Sequence, residues 1–312
     1  MRGDTADGGR AWAVAARMEP GRLVFAGRLG AAHAHAHAAV QVLLVASGRV
    51  LLTDAGGRSL AVRAAVIPAG AEHTLHADDA TGVMVYLDPA GRAARALTAR
   101  LEHTVRTASA PQAAVRQSTA PQDTTRQSPA SQAAVRQLAG PQAAVRHAAG
   151  PQAAVRQVAV WRAAALPAAG MPAVADRAGM EAGERAVALL AGPAAGAAPV
   201  VPAPGSALHR ALEVLAERAA TGEPIRLAAV ASDAGLSADR LRHLFTERMG
   251  LPFTACVRWA RLQAAMAVVR DGGTLTAAAH AAGFTDSAHL TRVFHAMFGL
   301  APSAAARHLH WC

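Results

Sequence analysis

Between Leu227 and Phe298 the chain writes nearly the same helical pattern twice, and this duplication restricts the fold more than any other feature. The first copy runs Ala234-Gly235-Leu236-Ser237, then Leu241, Phe245, Gly250, Leu251 and Pro252. The second runs Ala282-Gly283-Phe284-Thr285, then Leu290, Phe294, Gly299, Leu300 and Pro302. In each, a short apolar helix ends at a Gly free to take positive φ, an apolar residue plugs the turn, and a Ser or Thr is placed to cap the next helix. That is helix-turn-helix patterning, in which the second helix of a pair is the one offered to a DNA groove.

The flanking residues extend the pattern. Ser206 is placed to cap a helix whose apolar face is Leu208, Ala211, Leu212, Leu215 and Ala219. Leu227, Val230 and Ala231 belong to the positioning helix of the first unit, and the helix after Ser237 turns Leu241, Leu244 and Phe245 inward. Between the units Thr254 is expected to cap a helix reaching Arg270, roughly 25 Å long at about 1.5 Å per residue. Such a spacer suits two recognition helices in successive major-groove turns, about 34 Å apart. In the second unit Thr276 is expected to cap Ala277 to Ala282, and the helix from Asp286 buries Leu290, Val293 and Phe294.

Taken together, Gly235-Leu236-Ser237, Leu241, Leu244-Phe245, Gly250, Pro252-Phe253, Arg261-Leu262, Ala282-Gly283-Phe284, Leu290, Arg292-Val293-Phe294, Phe298-Gly299 and Pro302 resemble the tandem helix-turn-helix domain of AraC/XylS-type transcription regulators. The resemblance covers about the last hundred residues. It implies DNA contact from the outward faces of the two recognition helices: Ser237, Asp239, Arg240, Arg242 and His243 in the first, and Ser287, His289, Thr291 and Arg292 in the second. Arg suits the O6/N7 edge of guanine because its planar fork donates two hydrogen bonds at once. Phosphate contact and a merely solvated Arg are the alternatives for Arg242 and Arg292. Asp239 either accepts from cytosine or serves its helix N-terminus, the latter being favoured. The family usually ends in Tyr-Arg after the final Pro, where Ala306-Arg307 stands here.

The N-terminal third has another texture. Short apolar runs, among them Leu23-Val24-Phe25, Val40 to Val45, Val50 to Leu52, Leu60 to Val62, Ala65 to Ile67 and Val83 to Leu87, alternate with Gly-bearing turns. Even spacing of this kind predicts a small antiparallel barrel or sandwich. Residues 1–20 read as a flexible leader, and residues 90–103 turn helical, with Leu97 and Leu101 four apart. His33, His35 and His37 alternate, which on a strand places all three on one face. The spacings His35-x-His37-x3-Gln41-x6-Gly48 and Pro68-x-Gly70-x2-His73 are similar to the two motifs of cupin barrels. In metal-binding cupins these positions supply three His and a Glu to a divalent ion, so the resemblance assigns His35, His37, Gln41 and His73 to that set. Gln41 is neutral where Glu is usual, and so a weaker ligand for a hard cation. Three readings stay open: a metal site, a metal-free effector pocket, and a structural set of histidines. A metal-dependent cupin enzyme with an accessory DNA-binding domain is the alternative function, but nothing besides the histidines supplies a reaction.

Between the two parts a decapeptide recurs, opening at Pro111, Pro121, Ser131, Pro141 and Pro151. Each unit holds little that could be buried, which predicts a flexible tether over residues 105–160, its arginines (Arg116, Arg126, Arg136, Arg146, Arg156) free to meet phosphates. Residues 161–204 carry one helix, Glu181 to Leu190, then a Pro/Ala-rich linker.

A chain of 312 residues accommodates this division. The formal net charge of +10 comes with all 31 basic residues being Arg, which a GC-rich coding bias also explains; it permits a phosphate-bearing partner without demanding one. Cys256 and Cys312 form no metal spacing and no disulfide framework. Neither a signal peptide nor a membrane-length apolar run is read, so a cytoplasmic location is expected. The predicted fold class is α+β multidomain: a cupin-like β-barrel over 21–104, the repeat linker, and an all-α tandem helix-turn-helix over 205–310. The expected function is sequence-specific transcription regulation controlled by a small molecule or metal in the barrel, with no required cofactor. Promoter DNA, a small-molecule effector, RNA polymerase and a homodimer partner are the expected associations, and no membrane is.

Overall fold

A computed structural model describes residues 12–19, 21–109, 177–191, 202–203, 205–302 and 309–311. The decapeptide repeat and most of the linker lie outside the described residues.

The N-terminal sheet consists of β1 (Ala13–Glu19), β2 (Arg22–Leu29), β3 (Ala32–His35), β4 (Val40–Asp54), β5 (Ser59–Val62), β6 (Ala64–Ile67) and β7 (His73–Leu87), joined by a last strand, β8 (Leu309–Trp311). Its order is β5-β4-β7-β2-β1-β8, with β3 paired to β7 and β6 to β4. β4 and β7 run antiparallel over nearly their whole lengths, with register shifts between Val45 and Arg49. Such irregularities bend a strand, so one strand can serve two walls of a barrel.

The unbroken apolar run of β4 has two partners. Leu43 and Val45 point into the interior with Ile67, Met84 and Tyr86, whereas Val40, Val42 and Leu44 face outward. The outward face is covered by α1 (Arg92–Ser109) and α2 (Arg177–Ala191), through Leu97, Leu101, Met180, Val187 and Leu190. A strand buried on both faces reads as continuous rather than alternating hydrophobicity. The leader reading of residues 1–20 is corrected at Ala13–Glu19, which forms β1 and pairs in full register with β2. Its Val14, Ala15 and Ala16 are buried, so pairing and burial hold this stretch despite its weak strand propensity.

The C-terminal helices are α3 (Ala207–Thr221), α4 (Leu227–Asp233), α5 (Ala238–Leu244), α6 (Phe253–Arg270), α7 (Leu275–Ala281) and α8 (Ser287–Phe298), with one π-helical segment, Phe245–Met249, extending α5. The two turns are copies of one another. Gly235 and Gly283 have φ of 73° and 70°, and Leu236 N and Phe284 N donate to Ala231 O and Ala279 O at 2.8 Å in both cases. Ser206 and Ser237 cap their helices by accepting from His209 N and Arg240 N.

Three caps differ from expectation. The spacer α6 starts at Phe253, after Pro252, and Thr254 lies within its first turn. Thr274, not Thr276, caps α7 by accepting from Ala277 N. Asp286 caps α8 in place of Thr285, accepting from His289 N at 2.6 Å. A carboxylate at that position satisfies the free amide and also suits the positive end of the helix dipole.

The helical domain is docked on the barrel. His33 N donates to Gly299 O (2.9 Å) and Ala36 N to Ala296 O (3.2 Å), tying β3 and the residues after it to the end of α8. Tyr86 of the barrel meets Phe298 edge-on at 5.3 Å between ring centres. One buried cluster therefore runs from the barrel interior into the helices.

Candidate nucleic-acid interface and candidate effector site

On α5 the inward residue is Leu241, while Asp239, Arg240, Arg242 and His243 are exposed, as is the capping Ser237. Arg242 pairs with Asp239 one turn earlier. An exposed pair of this kind is worth about 0–1 kcal/mol, so it leaves Arg242 available for a stronger partner. Asp239 thus serves the first turn of its own helix and the posture of Arg242.

The second set is less uniform. Arg292 is exposed, but Ser287, His289 and Thr291 are half-buried. The Thr291 hydroxyl donates to Ser287 O at 2.8 Å, and the His289 ring stands edge-on to Phe284 at 5.3 Å. The structure therefore gathers the predicted residues on one helix without freeing all of their polar groups. Arg258, on the second turn of α6, was not singled out from the sequence; with His289 and Arg292 it lines a cavity of about 690 Å³. The opposite wall of that cavity is His35, His37 and Glu72 of the barrel.

His35, His37, Gln41 and His73 are each at most 4% exposed, the only buried polar or charged residues among those described. The expectation of three histidines on one face is corrected: β3 ends at His35, its pairing with β7 shifts register between Ala32 and His35, and His33 is exposed. His33 instead stacks on His295 of α8 at 6.0 Å. The remaining three converge with potential ligand atoms all within 4.8 Å of one another.

Their tautomers follow from their neighbours. His35 Nδ1 lies 2.7 Å from His33 O, His37 Nδ1 2.7 Å from Ala39 O, and His73 Nδ1 3.0 Å from Ala71 O. A carbonyl only accepts, so each Nδ1 carries the proton and each Nε2 presents a lone pair. Burial pushes His35 down from 6.5 to about 4, with His37 adding to the effect. It pushes His73 down to about 2, reinforced by His37 and His35, and lowers His37 as well. All three are therefore neutral at physiological pH. His73 Nε2 has no hydrogen-bond partner among the described residues. Gln41 Oε1 lies 2.9 Å from His37 Nε2; since a neutral His37 offers no second proton, a half-turn of the amide, presenting NH2, satisfies both groups. The other end of the amide contacts the Tyr86 hydroxyl at 3.2 Å, and burial raises Tyr86 so that it stays protonated. Neutral imidazoles with carbonyl-held tautomers and one unsatisfied lone pair fit a metal ion; the same groups fit the polar end of a small molecule. Beside them lies an apolar pocket lined by Phe25, Leu75, Met84, Tyr86, Phe294 and Phe298, with His35 and Gln41 as its polar members.

Residues 230–308 match a family model described as a helix-turn-helix domain. The chain is 38% identical over 88 residues to the HTH-type transcriptional activator RhaR of Pectobacterium atrosepticum, a match spanning 28% of this chain and 31% of that protein. It thus spans about a third of the length of the curated relative it matches. Across 93% of this chain and 96% of the other, its fold is similar to ToxT of Vibrio cholerae solved with a bound unsaturated fatty acid, at a TM-score of 0.50 and 12% identity. The C-terminal unit is a helix-turn-helix domain in which the motif occurs twice, joined to an N-terminal barrel-like sheet domain. No helix of the described residues is long and apolar enough to cross a membrane.

Proposed function

We propose that the protein is a one-component, sequence-specific transcription regulator of the AraC/XylS type, acting in the cytoplasm on promoter DNA. The observation that carries this reading is the pair of matched helix-turn-helix units whose second helices expose Arg242 and Arg292. The 18-residue α6 that separates them is about 27 Å long at about 1.5 Å per residue, suited to adjacent turns of the major groove. Base reading by Arg292 is tested by selection from a randomised site. Arg292→Ala is expected to cost about 1–3 kcal/mol at its cognate base and to relax preference there. With α8 released from β3, an unchanged site preference refutes the role.

The barrel is the sensing half of this reading. His35, His37 and His73, with Gln41 as a neutral fourth ligand, would hold a divalent metal, which when bound supplies a fixed positive charge to its ligands. The neighbouring pocket, apolar with His35 and Gln41 as polar members, suits a small molecule with an apolar body; the similar Vibrio structure was solved with an unsaturated fatty acid. Occupation of the barrel biases the geometry or dimerisation of the two DNA readers and, through them, recruitment of RNA polymerase. Turnover is not part of this reading, which rests on the paired helix-turn-helix units. Protein purified without a His tag that carries less than about a tenth of an equivalent of metal, and does not recruit metal on titration, leaves the small molecule as the effector.

A further inference from the structure

Beyond the helices, residues 309–311 join the barrel. Leu309, His310 and Trp311 lie parallel to Val14, Ala15 and Ala16, so β8 forms the outer edge of the sheet beside β1. Trp311 is half-buried against a small apolar cavity that Phe25 of the barrel shares with Leu262, Met266, Leu290 and Phe294 of the helices. Neither the strand nor the Trp serves the DNA-reading faces or the histidine cluster.

From this placement we propose that the segment Leu309–Trp311 is an autoinhibitory strap, holding α8 against β3 so that only the first recognition helix is free to enter DNA. The proposal rests on the DNA-binding reading given above. With the strap in place, His33 and Ala36 bond to the end of α8, and His289 and Arg292 look across a cavity at Glu72 and the residues around His35. A major groove is about 12 Å wide and a helix with its side chains about 10–12 Å across. A recognition helix in the groove therefore needs both flanks clear for the phosphate backbones. Here β3 occupies one flank, and the exposed carboxylate of Glu72 adds repulsion toward phosphate. On the first recognition helix, by contrast, Arg240, Arg242 and His243 are exposed, and none of them lines that cavity. A three-residue pairing anchored by one aromatic is small enough to open, and its edge position means that opening breaks no other strand pair.

The test uses the full chain, a chain ending at His308, Trp311→Ala, and an Ala15→Cys/His310→Cys pair in a Cys312→Ser background whose disulfide locks the strap when oxidised. Sites are selected with each protein and footprinted, and amide exchange is followed at His33 and Ala36. The truncated and Trp311→Ala chains are expected to lengthen the footprint by one helical turn, about 10 base pairs. Their affinity for the longer site is expected to rise at least about tenfold, within what one bidentate base contact supplies. Exchange at His33 and Ala36 is expected to quicken in both. The oxidised lock is expected to keep the short footprint, and its reduction to behave like the parent chain. A full-length footprint from the oxidised lock overturns the proposal, as does unchanged exchange and footprint after truncation. Should the truncated chain fail to fold, the lock still decides. Chains that bind no DNA selectively, yet whose His33 and Ala36 amides respond to truncation, would sink the DNA reading and leave the strap a structural clasp.

Discussion

Gly250 and Gly299 form a matched pair that isolates the energy of docking. Each ends a recognition unit in the left-handed region, with φ of 67° and 69°. A Cβ built on Gly250 meets nothing within 4 Å, whereas one built on Gly299 falls 2.5 Å from His33 O, 2.9 Å from His33 N and 2.8 Å from His35 Nδ1. Placing Ala at either position costs about 1–2 kcal/mol for the left-handed backbone, offset by about 0.4–1 kcal/mol from the stiffer unfolded chain. Gly250→Ala should therefore lose about 1 kcal/mol. Gly299→Ala must in addition push β3 away and break the bonds from His33 N and Ala36 N to α8, each worth about 0.5–1.5 kcal/mol net. The expected total is about 3 kcal/mol, or less if the domains separate and the helices relax on their own. Urea denaturation of the two variants beside the parent measures the difference, and amide exchange at His33 and Ala36 assigns it to the interface. Equal losses in the two variants, with unchanged exchange in Gly299→Ala, would refute the claim that this Gly is required by close approach of the barrel.

Further outcomes follow from the buried histidines. Gln41→Glu should destabilise the metal-free protein by about 1–3 kcal/mol, because a carboxylate would be buried without a cation. Stability should return on adding a divalent metal, read as a rise in melting temperature, and metal that leaves it unmoved removes Gln41 from the ligand set. In metal-free protein the sign of the pH dependence is fixed by lowered pKa values in the folded state. Below pH 6.5 the unfolded chain takes up protons that folded His35 does not accept until about pH 4. Stability should therefore fall as pH drops through that window, by about 3 kcal/mol for this group alone at its lower end, with His37 and His73 adding to the loss. Urea midpoints at pH 7 and pH 5 that coincide would contradict this.

Much of the helical domain was legible because its signals are local. The turn geometry at Gly235 and Gly283, the caps at Ser206 and Ser237 and the inward Leu241 and Leu290 each depend on residues within one or two turns. Cap positions slipped where two candidates stood close together, as with Thr285 and Asp286, since side-chain reach rather than residue type decides between them. The histidine set was legible from spacing, but its geometry was not. Strict alternation requires an unbroken strand, and β3 stops at His35, so His33 turns outward. Strands β1 and β8 were not foreseen. Both take their strand character from pairing across long separations, and neither the Ala-rich stretch before Glu19 nor Leu309-His310-Trp311 advertises a partner.

A flexible tether over residues 105–160, expected from the sequence, predicts coupling of the two domains mostly through effective concentration. Surface contacts supply a more direct route. β3 carries His35, a residue of the candidate sensing set, and its neighbours His33 and Ala36 bond to the last turn of α8. A ligand that prefers one arrangement of this segment therefore acts on the second DNA reader with no intervening element. To turn a docked population from about 99% to about 1%, it must favour the undocked arrangement by about 5.5 kcal/mol. Docking at about 99% needs a net interface of only about 2.7 kcal/mol, the order that two backbone hydrogen bonds, a Tyr86–Phe298 contact and the Trp311 anchor supply. Linkage then makes the effect reciprocal: DNA that captures α8 must alter the barrel's affinity for its ligand by the same factor that the ligand alters DNA binding.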